Sequence, residues 1–296
     1  MKVLSLFDGI SCGQIALQRA GIPVEEYFAS EIDKYSIQIT MKNFPNTKQL
    51  GDVKNVFARN LPKIDLLIGG SPCQDLSITR SQTRKGLKGN KSILFWHYVR
   101  LLRTCKPKYF LLENVGSMKK EDKEEITKIL GVQPMLINSS LVSAQNRERL
   151  YWTNIPVTIL PKDKGLFLKD IMQNDVEEKY FYTCSYDNLG ENSVCALLHI
   201  NGNDILKRVH SPNYKCHTLT TCGGGNTQKK VMDNGRPRKL TPLEYERLQT
   251  LPDNYTNCVS NIHRYNACGN GWTVDIIAHI FSFIPKEEQH ATRMDA

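Results

Sequence analysis

The sequence lacks the features that would mark a membrane, secreted or zinc-binding protein. No apolar run approaches the roughly 20 residues that a membrane-spanning helix needs, so no membrane association is expected. The first residues already follow a strand pattern, which predicts no signal peptide. None of the nine cysteines forms a CxxC pair, and the cysteines and histidines lack the spacing of zinc fingers or ribbons. We therefore expect a cytoplasmic protein with mostly buried, reduced thiols and no metal site.

Negative charge is also in short supply. The chain has 39 Lys and Arg residues against 30 Asp and Glu residues, which gives a formal net charge of +9. Such an excess favours an anionic partner, although charge alone is a weak indication. The first strand is not followed by a GxGxxG turn or a Walker lysine, which disfavours a nucleotide phosphate as the ligand.

Residues 1–152 contain an alternation of strand and helix patterns. Apolar runs predict strands at 3–7, 27–32, 65–70 and 108–113, with further strands at 136–142 and 150–155. Helical spacing predicts helices at 13–20, 33–44 and 92–105. Strands that alternate with helices predict an α/β fold with a doubly wound, mainly parallel sheet.

After Pro161 the pattern becomes irregular, and Asn, Asp and Gly are frequent. This stretch predicts a smaller inserted module with little helix and a basic second half. Within it, residues 220–226 form either a solvated surface loop or a flexible loop whose glycines let the backbone approach a partner. Helical periodicity returns at Thr241, a predicted N-cap that is followed by Pro242 and completed as a capping box by Glu244. The last periodic segment is 272–283.

A reactive side chain is predicted where the strand at 65–70 ends. That strand breaks at paired glycines and is followed by Ser71, Pro72, Cys73 and Gln74, a position where α/β proteins mount functional groups. The stretch that follows contains only basic charged residues from position 80 to 91, namely Arg80, Arg84, Lys85, Lys88 and Lys91. A thiol beside concentrated positive charge suggests a nucleophile that acts on a polyanion.

Carboxylates follow three of the early elements. Asp8 comes after the first strand, Glu31 ends the second, and Asp52 follows a glycine. In an open α/β sheet, ligands bind beyond the carboxyl ends of the strands, and a carboxylate after the second strand suits a ribose diol. These groups favour a cationic, ribose-bearing ligand without phosphate, such as S-adenosylmethionine. Solvated turn residues and helix N-caps are an equally open interpretation.

A carboxylate and two arginines form a second candidate set. Glu113 ends the predicted strand at 108–113, and Arg147 and Arg149 flank the start of the strand at 150–155. If this last strand runs back beside the others, the two arginines share one of its faces. Together with Cys73 they would place a thiol, a carboxyl and guanidinium groups over one pocket. Taken singly, Glu113 could cap a helix and the arginines could form a salt-bridged sheet edge.

Several short motifs occur in a fixed order along the chain. They are LFDGISCG, Glu31, GDV, GGSPCQDLS, ENV, QNRERLYW and GNGWTVDIIAHI. In this order the chain resembles DNA cytosine-5 methyltransferases nearly end to end. FDGI, GGSPCQDLSI, RKGL and the Trp of GNGW are most similar to the mammalian de novo enzymes, whereas the compact length is typical of bacterial or phage enzymes. Ser11, Cys12 and Trp272 depart from the commoner residues of the family, but no catalytic group is lost.

The resemblance implies methyl transfer from S-adenosyl-L-methionine to carbon-5 of cytosine in double-stranded DNA. It implies that Cys73 adds to carbon-6 of the ring and that Glu113 bonds ring nitrogen 3 and the exocyclic amine. Arg149 would hold the carbonyl oxygen at carbon-2, with Arg147 in support. Because carbon-6 cannot be reached within a stacked duplex, the cytosine would be flipped out.

The resemblance also implies a set of cofactor contacts. Phe7 would stack on the adenine, Glu31 would hold the ribose, and Asp52 would hold the adenine amine. Asn270 and Trp272 would approach the methionine part. The remaining residues that it implies around the cofactor are Asp8, Gly9, Ile10, Cys12, Ile32, Val53, Gly70, Pro72 and Leu94.

By the same resemblance, residues 1–158 plus 268–296 form the catalytic domain, 159–240 the target-recognition module and 241–267 a connecting helical segment. The expected DNA contacts are Arg80, Arg84, Lys85, Lys88, Thr218, Thr220, Thr221, Lys229 and Lys230. Two rival hypotheses are the same chemistry on RNA and a non-catalytic DNA-binding regulator. A cognate restriction endonuclease and a homodimer are both left open.

Overall fold

The structure is a computed structural model and describes residues 1–71, 93–222 and 226–285. The strands of these residues are β1 (Lys2–Leu6), β2 (Glu26–Ser30), β3 (Lys48–Gln49), β4 (Leu66–Gly70), β5 (Tyr109–Val115), β6 (Met135–Asn138), β7 (Gln145–Asn146), β8 (Glu148–Thr153), β9 (Tyr186–Asn188), β10 (Val194–Leu198), β11 (Arg208–His210), β12 (Cys216–His217), β13 (Lys230–Asp233) and β14 (Arg236–Lys239). The helices are α1 (Cys12–Arg19), α2 (Lys34–Asn43), α3 (Ile93–Cys105), α4 (Lys120–Leu130), α5 (Asp204–Lys207), α6 (Pro242–Leu248), α7 (Asn261–Asn270) and α8 (Val274–Phe281).

Seven strands form a central sheet in the order β3-β2-β1-β4-β5-β8-β6. Strand β1 pairs in parallel with both β2 and β4, and β4 pairs in parallel with β5, whereas β8 runs antiparallel to β5. The chain therefore winds outward in one direction through β2 and β3 and then in the other through β4 and β5. This confirms the predicted doubly wound, mainly parallel sheet. Its strand order reverses between β1 and β4, which is where open α/β sheets bind ligands.

Successive residues of the central strands are buried, as expected of a parallel sheet that is covered on both faces. Leu4 and Leu6 of β1 pack in one buried cluster with Phe95 and Tyr98 of α3 and Trp152 of β8. On another part of the same unit, α1 packs against α8. Their contact includes an ion pair between Arg19 Nη1 and Asp275 Oδ1 at 2.6 Å.

Compactness divides the chain into two units, which we describe separately. The first comprises Met1–Ile137, Glu148–Leu160 and the segment that begins at Val274, and the second comprises Asn138–Arg147 and Pro161–Thr273. The functional division at 158, 240 and 268 inferred from the family resemblance stays a prediction.

The second unit contains a five-stranded sheet in the order β14-β13-β11-β10-β9 and a two-stranded sheet of β12 and β7. Its small apolar cluster is centred on Ala196, Leu198 and Val209. The sequence predicted an irregular module with little helix and missed this sheet. The strands escaped detection because several are only three or four residues long and carry polar side chains.

Local hydrogen bonds of side chains explain where helix α6 begins and where strand β6 ends. The predicted capping box of α6 is confirmed, because Thr241 Oγ1 accepts from Glu244 N and the Glu244 carboxylate accepts from Thr241 N. The predicted strand at 136–142 was too long. It ends at Asn138, whose side chain accepts from Ser140 N and starts a 3-10 turn.

Within residues 1–71, 93–222 and 226–285, no helix is long and apolar enough to cross a membrane.

Candidate active site at the ends of the parallel strands

Glu113 and Arg149 form a largely buried ion pair on adjacent strands. In the β5–β8 register, Glu113 lies opposite Tyr151 and Arg149 lies opposite Val115, so the two charged residues are diagonal neighbours on one face of the sheet. Arg149 Nε is 2.9 Å from Glu113 Oε1. Arg149 Nη1 also donates to Glu148 O at 2.8 Å, which fixes the direction of the guanidinium. The structure therefore brings together two members of the predicted catalytic set.

The end of β4 is held beside this pair. Gly70 lies opposite Glu113 in the β4–β5 register, and Ser71 follows it. Asn114 is buried, and its Nδ2 donates to Ser71 Oγ at 3.1 Å and to Ser71 O at 3.3 Å. The last described residue before the Cys73 segment is thus anchored next to Glu113. Pro72 and Cys73 lie outside the described residues, as do Arg80, Arg84, Lys85 and Lys88.

The turn after β1 has an unusual backbone. Phe7, Gly9 and Ser11 all have positive φ, at 58°, 59° and 56°. Two of these residues carry side chains, so the turn needs support from its surroundings. Asp8 supplies it, because its Oδ2 accepts from Ser11 Oγ at 2.5 Å and its Oδ1 accepts from Tyr27 Oη at 2.8 Å.

The environment of Asp8 also changes its acidity. Burial raises the pKa of Asp8 to about 6, although hydrogen bonds from Ser11, Ser5 and Tyr27 act in the opposite direction. Both carboxylate oxygens are engaged within the protein. Asp8 therefore supports the turn, and its predicted place beside the cofactor stays a prediction.

Glu31 is fixed just beyond β2. Its Oε2 accepts from Gly9 N at 2.8 Å, and its Oε1 accepts from Ile32 N at 2.8 Å and from Asp33 N at 2.9 Å. Ile32, next to it, is 74% exposed. A carboxylate held by backbone N–H groups beside an exposed apolar side chain suits a nucleoside, since the carboxylate can accept from ribose hydroxyls and the apolar group can lie against a base.

The other predicted cofactor residues of the first unit lie in varied surroundings. Asp52 is the N-cap of a 3-10 turn and accepts from Lys54 N at 3.0 Å, and Ser30 Oγ donates to Gly51 O at 2.7 Å, which ties this turn to β2. Phe7 and Leu94 are partly buried against the main apolar cluster. Three residues are almost fully enclosed by protein, namely Ile10, Cys12 and Val53. Their place around a cofactor stays a prediction.

Three predicted residues lie in the second unit. Asn270 is exposed at the last position of α7, and Trp272 is partly exposed just after it. Arg147 lies just before β8, which begins at Glu148. The alternation of side chains along a strand, which was expected to place Arg147 on the same face as Arg149, therefore does not extend to Arg147. Arg147 is only 4% exposed, and its guanidinium donates to the carbonyl oxygens of Leu219, Gly269 and Gly271. The three roles inferred from the family resemblance stay predictions.

The predicted DNA contacts of the second unit differ in exposure. Thr220 and Thr221 are exposed, and Lys229 is partly exposed. Thr218 is partly exposed, and its Oγ1 donates to Asn146 O at 2.6 Å.

Among the predicted DNA contacts that the structure describes, Lys230 is the most enclosed. It is 1% exposed, and its Nζ donates to Asn226 O at 2.7 Å and to Gln228 O at 2.9 Å. Burial lowers the pKa of Lys230 to about 8. An ammonium that is enclosed and bonded to backbone carbonyls is poorly placed for a phosphate, so the structure disfavours Lys230 as a DNA contact.

Within the described residues, no group of three or more His, Cys, Asp or Glu side chains could hold a metal ion.

The sequence profile of the C-5 cytosine-specific DNA methylases matches residues 1–286. The chain belongs to this family. The family resemblance seen in the motifs is confirmed.

Phage relatives of this family member match it to different extents. The orphan methyltransferase M.Rho11sI of Bacillus phage rho11s is 34% identical over 191 residues, which are 60% of this chain and 37% of that protein. The chain thus spans less than half the length of that relative. The orphan methyltransferase M.SPBetaI of Bacillus phage SPbeta is 24% identical over 98% of this chain and 99% of that protein.

Solved structures support the fold of this C-5 cytosine-specific DNA methylase family member. The Entamoeba histolytica methyltransferase EhMeth superposes with a TM-score of 0.74 at 17% identity, and the match covers 97% of this chain and 98% of that chain. At this level of identity the likeness bears on architecture alone.

Sequence reasoning missed two supporting residues of the site. The sequence marks Asn114, which holds Ser71, only as part of the ENV motif, and it marks Tyr27, which holds Asp8, only as a strand residue. A polar side chain inside an apolar strand was the available signal for each of them. Its partner could not be inferred, because the partner comes from another strand or turn.

Proposed function

We propose that this protein transfers a methyl group from S-adenosylmethionine to carbon-5 of cytosine in double-stranded DNA, through a covalent cysteine adduct and with the target base flipped out. Family membership supports methyl transfer to DNA cytosine. The observation that carries the finer proposal is the ion pair of Glu113 and Arg149, held beside the strand end that leads to Cys73.

The residues of this set match the demands of the reaction. Carbon-5 of cytosine is a poor nucleophile, and addition of the Cys73 thiolate to carbon-6 makes the ring electron-rich at carbon-5. Negative charge then develops on the ring. Glu113 is proposed to bond nitrogen 3 and to supply a proton there, and Arg149 is proposed to bond the carbonyl oxygen at carbon-2. With the cofactor bound, carbon-5 would take its methyl group, and S-adenosylhomocysteine would be the leaving group. Loss of the carbon-5 proton and expulsion of the thiolate would then restore the aromatic ring and the enzyme.

The first unit offers groups that fit the cofactor. When bound, S-adenosylmethionine supplies an electrophilic methyl group. Glu31 is proposed to accept hydrogen bonds from the ribose, and the exposed Ile32 to contact the adenine. Asp8 would act indirectly, by holding the turn between Phe7 and Ser11 in its strained conformation.

Methylation assays on the wild-type protein and on two variants test this proposal. Wild-type protein should methylate duplex DNA, as read by bisulfite sequencing after expression in a host. Cys73→Ala should abolish methylation and keep its affinity for S-adenosylhomocysteine. Glu113→Gln should slow methyl transfer by roughly 10²- to 10⁴-fold, with little change in DNA affinity, since the lost group acts on the reacting ring.

Glu148→Gln is the matched control. Glu148 is exposed and adjoins Arg149 on β8, so the same chemical change on the other face of that strand should leave the rate nearly unchanged. Normal turnover by Cys73→Ala would contradict the covalent mechanism. Equal losses of rate and DNA affinity in Glu113→Gln would indicate a structural role, and methylation of transfer RNA without methylation of DNA would overturn the substrate.

A further inference from the structure

Arg147 joins two segments of the second unit. Its Nη1 donates to Leu219 O at 2.9 Å, and its Nη2 donates to Gly269 O at 3.2 Å and Gly271 O at 3.1 Å. Leu219 lies among the residues predicted to read DNA, which we call the recognition segment (218–221). The two glycines flank Asn270 in the turn that ends α7, which we call the α7 turn (269–272). One buried cation thus bonds both segments at once.

The ends of helices explain why a cation is stable there. The last carbonyls of a helix have no partner within the helix, and a buried carbonyl without a donor is unfavourable. At the end of α7 the donors are two buried side chains, Arg147 and Gln249. Gln249 Nε2 donates to Cys268 O at 2.6 Å and to Gly271 O at 3.0 Å. The planar guanidinium, with five N–H donors in a fixed fork, can serve carbonyls of two segments where a lysine could not hold the same geometry.

Gly269 provides a second, independent link between the same two segments. A Cβ built on Gly269 would lie 2.5 Å from Thr220 O and 2.7 Å from Thr221 N. Real Cβ atoms do not approach backbone so closely, so only glycine allows this contact. The backbone of α7 therefore rests directly on the exposed part of the recognition segment.

The two residues before Arg147 strengthen the same connection. Gln145 Nε2 donates to Gln249 Oε1 at 2.9 Å, and Gln145 Oε1 accepts from Leu219 N at 3.3 Å. The main-chain carbonyl of Asn146 accepts from Thr218 Oγ1 at 2.6 Å. All these groups belong to the second unit, and they hold the recognition segment and the α7 turn as one body.

We propose that Arg147 is a positioning residue that couples DNA binding to cofactor binding, by holding the recognition segment and the α7 turn in one arrangement. This inference rests on the proposed function, which gives the first segment to DNA and the second to the methionine part of the cofactor. Because Arg147 ties the two segments together, a ligand that fixes the position of one also fixes the other, so the second ligand binds a segment that is already positioned. The coupling is reciprocal, because it is a difference in free energy between the same four states.

The test is a thermodynamic cycle on the full chain. DNA affinity is measured by fluorescence anisotropy on a duplex that wild type methylates, with and without saturating S-adenosylhomocysteine, and the affinity for S-adenosylhomocysteine is measured with and without that duplex. Wild type should show a coupling ratio within the range of roughly 5- to 150-fold that is typical of linked sites. Arg147→Lys, which keeps the charge but loses the fork, and Gly269→Ala, which separates the two segments, should each bring the ratio towards one. In these two variants, the affinity for S-adenosylhomocysteine in the absence of DNA should fall by a smaller factor than the coupling ratio does.

Two controls and three outcomes keep the inference falsifiable. Arg236→Lys changes an exposed arginine of the same unit, and Asn266→Ala changes a partly exposed residue of α7; both should keep the wild-type ratio. An unchanged ratio in folded Arg147→Lys and Gly269→Ala, as judged by circular dichroism, would overturn the inference. A wild-type ratio of one in an active enzyme would also overturn it and leave the proposed function intact. Absence of methylation by wild type would instead refute the proposed function.

Discussion

At the level of single residues, burial divides the cationic side chains of the second unit into two groups. Lys215 Nζ donates to Ser140 O at 2.7 Å and Leu166 O at 2.8 Å, and burial lowers the pKa of Lys215. Lys230 and Arg147 likewise bond backbone carbonyls inside the fold. Lys229 is partly exposed, so its ammonium can reach a phosphate more readily than that of its neighbour. The number of basic residues in the second half of this module therefore overstates the positive charge that is available to DNA.

The adjacent lysines offer a matched pair for DNA binding. Lys229→Ala should weaken DNA affinity and reduce the slope of log affinity against log salt by about one, because one phosphate contact is lost. Lys230→Met should leave that slope unchanged. It should lower the free energy of unfolding by about 1–3 kcal/mol, because the Asn226 and Gln228 carbonyls lose their donor. Anisotropy titrations at several salt concentrations and urea unfolding measure both effects, and equal slopes for Lys229→Ala and wild type would contradict the assignment.

At the level of elements, strand β14 carries two arginines, of which Arg238 is buried and Arg236 is exposed. Arg238 is fully buried, and its Nη1 and Nη2 each lie 2.8 Å from an oxygen of Glu244 in the first turn of α6. Its Nε donates to Asp233 Oδ2 at 2.6 Å. Arg236 is exposed and pairs with Glu178 at the surface. The buried pair thus fastens the β13–β14 hairpin to α6, and Glu244 caps that same helix.

Replacement of each arginine in turn should separate these roles. Arg238→Met should cost about 3–5 kcal/mol in the free energy of unfolding, because the Glu244 carboxylate stays buried without its main cationic partner. Arg236→Met should hardly move the urea midpoint, since the Glu178 carboxylate regains water. A similar midpoint for both variants would show that the buried pair contributes no more than the exposed one.

At the level of the whole molecule, the predicted cofactor residues belong to both units. Asp8, Glu31 and Ile32 belong to the first unit and follow neighbouring parallel strands. Asn270 and Trp272 belong to the second unit by compactness. Ligand linkage to unfolding can show directly whether the first group holds a nucleoside, because a ligand that binds only the folded state stabilises it.

Calorimetry with S-adenosylhomocysteine measures that linkage. A free ligand concentration of 100 times the Kd should raise the free energy of unfolding by about 2.7 kcal/mol and shift the melting temperature upward. Glu31→Gln should reduce the shift at the same ligand concentration, because an amide presents an NH₂ group where the carboxylate accepts from Gly9 N, Ile32 N and Asp33 N. Glu26→Gln, at the start of the same strand, is the control and should keep the full shift. A full shift in Glu31→Gln would remove Glu31 from the cofactor site.

The predictions from sequence succeeded where the signal was local. Thr241, Pro242 and Glu244 specify a helix start within four residues, and the structure reproduces it. Apolar runs between polar turns located the parallel strands and so placed Asp8 and Glu31 after β1 and β2. The same approach missed the sheet of the second unit, because strands such as Tyr186–Asn188 and Arg208–His210 carry too few apolar residues for a period of two to show.

The sequence by itself determined the family, the order of the motifs and the α/β alternation, because each is encoded in residues that are neighbours along the chain. Tertiary structure decided which partners the arginines of one short segment find. Arg147 bonds Leu219 and Gly269, which are 72 and 122 residues away, and Arg149, two positions later, pairs instead with Glu113 on the adjacent strand. A buried cation must find oxygen partners wherever the fold places them, so its role follows from distant segments that no local pattern records.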